Sequence, residues 1–196
     1  RLEARIREEL NDLSMPGVQF QVQFSPVRTE EGLNAFGCDE VRFLMSANAG
    51  QALGRISQIA SGGELSRIML ALKNVLSEND GIDTLVFDEI DAGVSGIAAQ
   101  RVAEKLAALS GRRQVLCVTH LPQIAAMADT HFEIKKDTHD GRTYTSVRLL
   151  DGEGRRGEIA RLIGGENVTI TTLASAGEQL EAAERFKTAL RQKKNT

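Results

Sequence analysis

Two short apolar runs, each ending in polar residues and separated by a helical stretch, constrain this chain more than any other feature. Asp83 to Phe87 and Gln114 to Val118 are too short for helices and too evenly apolar for a half-solvated sheet. That is the pattern of strands buried in a parallel sheet. Ser95 to Leu109 carries helical periodicity between them, and Leu121 to Ala128 a short helix after them. Upstream, Glu64 to Glu78 places Leu65, Ile68, Met69, Leu72, Val75 and Leu76 on one helical face. Helix and strand therefore alternate from 61 to 130, which predicts an α/β core with parallel strands.

The flanks read differently. Leu2, Ile6, Leu10 and Leu13 form one stripe on a helix over residues 1–13, with Arg and Glu between them. A packed amphipathic helix and the end of a coiled coil both fit, because fewer than two heptads leave the choice open. Met15-Pro16-Gly17 ends this helix. Val18, Phe20, Val22 and Phe24 alternate with polar residues, and Val41, Phe43 and Met45 repeat the pattern, so two strands are expected to pair antiparallel. Residues 47–60 read as a loop. Beyond the core, strands near 131–136 and 143–150 are expected across an Asp140-Gly141 turn. Helices follow at Arg156 to Ile163 and Thr172 to Leu190, then a polar tail at 191–196. No internal repeat or low-complexity segment is apparent.

Composition narrows the class. The chain has 196 residues, 41% hydrophobic and 26% charged, as in ordinary soluble globular proteins and enough for one well-cored domain. Aromatics are scarce and Trp is absent, so no stacking platform for single strands is seen; the net charge of −3 gives no bulk footprint for nucleic acid. Cys38 and Cys117 follow no metal spacing and read as buried free thiols in a reducing compartment. No apolar run approaches the ~18 residues of a membrane span. There is no signal-peptide pattern, and an opening Arg1 is expected of a piece cut from a longer polypeptide. Cytoplasmic placement is the expectation.

Four segments carry chemistry. Leu85-Val86-Phe87-Asp88-Glu89 brings a strand to an end in two adjacent carboxylates. Ligands of a parallel sheet bind beyond the carboxyl ends of its strands, where one acid can hold Mg²⁺ and its neighbour can face an attacking water. An acidic turn is the plain alternative. Ala60-Ser61-Gly62-Gly63-Glu64-Leu65-Ser66-Arg67 opens a helix; Ser61 can cap it, and two glycines weaken a first turn unless something must come close. A helix start with open amides is an anion site. Val115-Leu116-Cys117-Val118-Thr119-His120 ends a second strand in an imidazole, expected on the same sheet edge as Asp88. Between them, Ile90-Asp91-Ala92-Gly93-Val94-Ser95-Gly96 suits a tight loop pressed on another surface.

The order of these segments, within about 60 residues, resembles the C-terminal half of ABC ATPases. Ser61-Gly62-Gly63-Glu64 looks like the signature motif, Leu85 to Glu89 like Walker B, Asp91 to Gly96 like the D-loop, and His120 like the switch histidine. Glu64 at the fourth signature position is similar to the SMC/Rad50-like branch. Phe87 to Gly96, Val118 to Ala125 and Leu162-Ile163-Gly164-Gly165 are similar to a bacterial DNA-repair member of it.

The resemblance implies an α/β fold, the C-terminal lobe of an ABC ATPase head over 14–190, with antiparallel strands and the end of a coiled-coil helix at 1–13. It implies ATP sandwiched between two heads of a homodimer, in a DNA double-strand-break repair protein associated with the nucleoid. Asp88 would help hold Mg²⁺, Glu89 would act as general base or water-positioning group, and His120 would contact the γ-phosphate. Ser61, Gly62 and Gly63, with Glu64 beside them, would meet the γ-phosphate held by the opposite head. Asp91 would couple the two sites.

One departure counts most. No G-x-x-x-x-G-K-[ST] occurs, nor any Gly-Lys pair; the resemblance implies that the phosphate-binding loop lies on an N-terminal lobe across a coiled coil. The chain alone is then expected to be inactive. Competing readings are the motor subunit of a transporter and a clamp that binds ATP without hydrolysing it. The basic pairs Arg112-Arg113, Lys135-Lys136, Arg155-Arg156 and Lys193-Lys194 read as solvated surface, with DNA phosphate contact as the alternative.

Overall fold

A computed structural model describes residues 1–29, 32–46, 50–56, 62–76, 81–139 and 142–194. It divides into two compact units that interleave along the chain. The first comprises Arg1–Ile82 with Phe87–Gly93, and the second Asp83–Val86 with Val94–Thr196. The span 14–190, expected as one lobe, therefore contributes to both.

In the first unit, α1 (Leu2–Asp12) buries Ile6 and Leu10, and Leu13 just beyond it, all at 0% exposure. This stripe packs on β1 (Gln19–Pro26) and on α2 (Gly62–Leu76). Each such aliphatic side chain stabilises the fold by roughly 1.5–3 kcal/mol. Glu3 of α1 adds a polar tie, its Oε1 accepting the Val22 amide at 2.8 Å. β1 pairs antiparallel with β2 (Asp39–Ser46) in the register Phe20↔Met45, Val22↔Phe43 and Phe24↔Val41. The predicted alternation thus forms one apolar face, on which the Phe20 and Phe43 rings lie 5.4 Å apart. That face is buried at Phe20 and Met45 and open at Phe24 and Val41. A two-residue strand, β3 (Gly54–Arg55), extends the sheet from β2 inside a stretch expected to be loop.

β4 (Thr84–Phe87), of which all but Phe87 belongs to the second unit, and β5 (Gln114–Cys117) are neighbours. Their first residues lie side by side: the Gln114 amide donates to the Asp83 carbonyl at 2.9 Å, and Arg113 reaches the Asp83 carboxylate at 3.5 Å. Strands that begin together run parallel, and α3 (Gly96–Ser110) makes the crossover as expected. α3 buries Ala99, Val102, Ala103 and Leu106, lies on β5, and packs with α4 (Pro122–Met127). β6 (Phe132–His139) and β7 (Arg142–Leu149) pair antiparallel; the Asp140-Gly141 turn expected between them lies outside the described residues. α5 (Gly152–Gly164) and α6 (Ile170–Lys194) close the chain and pack against α4.

Several boundaries differ from the sequence reading. α5 begins at Gly152 rather than Arg156, because Asp151 caps it, its Oδ1 accepting the Gly154 amide at 2.8 Å. Gly152, Gly154 and Gly157 mask this start, since glycine weakens helix propensity. α6 continues through 191–194, which were expected in the tail: Arg191 is tied to Asp129 at 3.4 Å and to Glu184 at 3.7 Å. Asp129 and Glu184 also flank the buried Lys187 ammonium, each at 3.0 Å. No disulfide joins Cys38 and Cys117, and neither is buried as expected: Cys38 is exposed, since it precedes β2 and shares none of its alternation, and Cys117 is half-buried.

Three of the arginines taken as solvated surface have partners. Arg113 is mostly covered beside Asp83, Arg155 donates to the Ala128 carbonyl at 2.6 Å, and Arg156 to the Leu173 carbonyl at 3.1 Å. Among the described residues no helix is long and apolar enough to cross a membrane.

Candidate functional site

The residues singled out by sequence fall in two places. Gly62, Gly63, Glu64, Asp88, Glu89 and Asp91 belong to the first unit, and His120 to the second. Ser61 lies outside the described residues.

Within the first unit the start of α2 and the turn that follows β4 are in direct contact. A Cβ added to Gly63 would stand 2.7 Å from the Ala92 Cβ, 2.9 Å from the Ala92 carbonyl oxygen and 3.0 Å from that of Glu89. A Cβ on Gly62 would run into the Glu89 carboxylate. Gly63 is therefore needed for a close approach, whereas at Gly62 the flexible Glu89 side chain could yield. What approaches in this structure is the chain's own turn.

The turn itself is unusual. Glu89 has φ +54°, in the left-handed region that costs a residue with a Cβ about 1–3 kcal/mol. Its carbonyl accepts the Ala92 amide at 3.0 Å, and the Asp88 Oδ1 accepts the Glu89 amide at 2.9 Å. Two side chains of α2 hold the same segment. Ser66 donates its hydroxyl to the Asp88 carbonyl at 2.8 Å. Arg67 donates through Nη1 to the Ala92 carbonyl at 2.8 Å and makes a longer contact of 3.5 Å with that of Ile90. Arg67 is buried, which pulls its guanidinium below the usual arginine range, while the nearby Glu64 raises it.

Ser66 and Arg67 were not singled out from sequence, although a signal was present. Arg67 sits four residues after Gly63 and four before Ala71, both buried, so it lies on the inward stripe of α2. A charged residue on such a stripe calls for a partner. Asp91 is buried too, unlike the exposed Asp88 and Glu89.

These positions fit a magnesium nucleotide. Mg²⁺ bound to a phosphate substrate takes one or two carboxylates and keeps several waters. Asp88 offers an exposed carboxylate with one oxygen turned to its own turn. Among the described residues no cluster of three or more His, Cys, Asp or Glu could hold a metal alone. His120 is exposed, three residues beyond the end of β5 rather than at its end.

The fold is that of an Smc head domain. The Smc head domain with a coiled coil and joint from Pyrococcus yayanosii superposes with a TM-score of 0.55 at 23% identity, over 81% of this chain and 28% of that one. The Smc head domain from Pyrococcus furiosus, bound to the C-terminal domain of ScpA, gives 0.51 at 22% identity over 76% and 34%. No protein-family profile matches the chain.

Among curated proteins, the chain matches a segment of the DNA repair protein RecN. It is 44% identical over 200 residues to the DNA repair protein RecN of Bacillus subtilis, covering 96% of this chain and 35% of that protein. RecN of Treponema pallidum is 46% identical over 92% of the chain and 32% of its own length. RecN of Deinococcus radiodurans is 46% identical over 87% and 29%. The chain spans about a third of the length of these relatives.

Proposed function

We propose that this chain is the part of a RecN-type ATPase head that supplies the hydrolytic carboxylates and the surface that closes a second head's site. The contact of the Asp88–Ala92 turn with the start of α2 carries the reading, in a sequence 44% identical to a DNA repair protein. In it, ATP is bound between two heads of a homodimer. The protein acts on DNA double-strand breaks in the cytoplasm, at the nucleoid.

Asp88 is the carboxylate that holds Mg²⁺, which when bound neutralises charge on the phosphates. Glu89 accepts a proton from the water that attacks the γ-phosphorus, and ADP leaves with the bridging oxygen. His120 donates a hydrogen bond to a γ-phosphate oxygen. Gly62 and Gly63, with Ser61, face the γ-phosphate of the opposite head, where the positive end of the α2 dipole favours an anion. For this the Glu89 carboxylate swings away from Gly62 while its backbone stays held. Asp91 links the two sites.

The phosphate-binding loop comes from an N-terminal lobe of the same protein, since no such motif occurs here. The open apolar side chains of the second unit support a covering lobe: Val86 and Leu116 on β4 and β5, and Phe132, Ile134, Val147 and Leu149 on β6 and β7. A monomer rarely leaves so many apolar side chains in the open.

The test is Glu89→Gln in the full-length protein. Turnover is expected to fall about 10²–10⁴-fold, the usual value of a positioned base, while ATP-bound head dimers accumulate in cross-linking. Dimers trapped with unchanged turnover would favour the non-hydrolysing clamp.

A further inference from the structure

Three observations in the first unit concern the same five residues. The turn from Asp88 to Ala92 contains a residue in the left-handed region, Glu89 at φ +54°. Its main chain is gripped from α2 by Ser66 at the Asp88 carbonyl and by Arg67 at the Ala92 and Ile90 carbonyls. Its Ala92 and the Glu89 carbonyl meet Gly63 where any side chain would collide. A strained turn persists only where its surroundings over-determine it, and here Ser66 and Arg67, in the first two turns of one helix, restrain its main chain in addition to its own hydrogen bonds.

The choice of residue at 67 is informative. Arg67 is 7% exposed, and its Nε is left without a hydrogen-bond partner. Burying a guanidinium to bond main-chain carbonyls costs free energy that an apolar side chain of similar volume would not. Filling space therefore does not account for it. Its donors address the turn on both sides of Asp91, while Ser66 addresses the residue before Glu89. Neither touches the carboxylate of Glu89, which stays exposed.

We propose that Arg67, assisted by Ser66, is a positioning residue that locks the turn carrying Asp88, Glu89 and Asp91 onto the start of α2. A ligand captured at Gly62 and Gly63 and the carboxylates that follow β4 are then parts of one body. Occupancy of the second head's nucleotide at α2 is thereby transmitted to the backbone of Glu89 in the same chain. This rests on the ATPase reading above.

The experiment uses the full-length protein with Arg67→Met, Arg67→Lys and Ser66→Ala. Misplacing a catalytic group by about an ångström costs up to about 10²-fold in rate. Arg67→Met is expected to lower kcat about tenfold or more, with KM for ATP within about twofold, because positioning acts in the transition state. Arg67→Lys keeps a charged donor and is expected to recover most of the loss. Ser66→Ala is expected to lower kcat a few-fold at an unchanged unfolding midpoint.

Parental kcat in folded Arg67→Met, or a raised KM alone, overturns the proposal. If Arg67→Met does not fold, Ser66→Ala and Arg67→Lys decide, and parental kcat in both overturns it. A parent whose turnover ignores Glu89→Gln defeats the ATPase reading instead. The lock is then judged by amide exchange over residues 88–93, where the Ala92 amide bonds the Glu89 carbonyl. Faster exchange in Arg67→Met, or in Ser66→Ala if the former is unfolded, supports the lock; unchanged exchange overturns it.

Discussion

Gly63 is the residue on which the contact between α2 and the Asp88–Ala92 turn most depends. A methyl group there would stand 2.7 Å from the Ala92 Cβ and 2.9 Å from its carbonyl oxygen, with main chain on one side and no flexible side-chain end to yield. Gly63→Ala is therefore expected to destabilise the first unit by about 1–3 kcal/mol, the range for overpacking, read as a lowered urea midpoint. An unchanged midpoint would mean that the turn moves freely. The double glycine, the acid pair and the tight loop were all legible in the sequence. Their mutual contact was not, because residues 62–63 and 88–92 are linked only through tertiary packing. The inward Arg67 was legible in principle, since it shares a helical stripe with Gly63 and Ala71.

At the scale of elements, β6 is preceded by a half-buried imidazole. Burial lowers the His131 pKa below its usual value, and Arg155 lowers it further, against opposing pulls from Glu158 and Glu133. Its Nδ1 is buried without a hydrogen-bond partner. In the unfolded chain the group titrates near ~6.5, so just below that pH the unfolded state binds the extra proton and the folded state does not. Stability is therefore fully present above about 6.5 and is lost as pH falls through the depressed folded value. Unfolding midpoints measured across this window are expected to decline in the parent and to flatten in His131→Asn. An equal decline in both would assign the effect elsewhere. The elements themselves were mostly readable from apolar period. The exceptions have particular causes: glycines hid the start of α5, and the ion pairs that carry α6 past Leu190 join residues far apart in sequence.

For the whole molecule, the chain has the fold of an SMC-type head segment and about a third of the length of its RecN relatives. The β4–β5 pair expected as a parallel core is two-stranded, and Val86, Leu116 and Val118 on or beside it remain open. Sequence indicated buried strands there because the runs are apolar; on the proposed reading an N-terminal lobe of the same protein covers them. On the same reading that lobe carries the phosphate cradle, since no such motif occurs here. The most direct test is ATP turnover by this chain alone and after addition of the N-terminal lobe. No turnover above background alone, restored by the lobe and abolished again by Glu89→Gln, is the expected result. Robust hydrolysis by the chain alone, lost in Glu89→Gln, would contradict it.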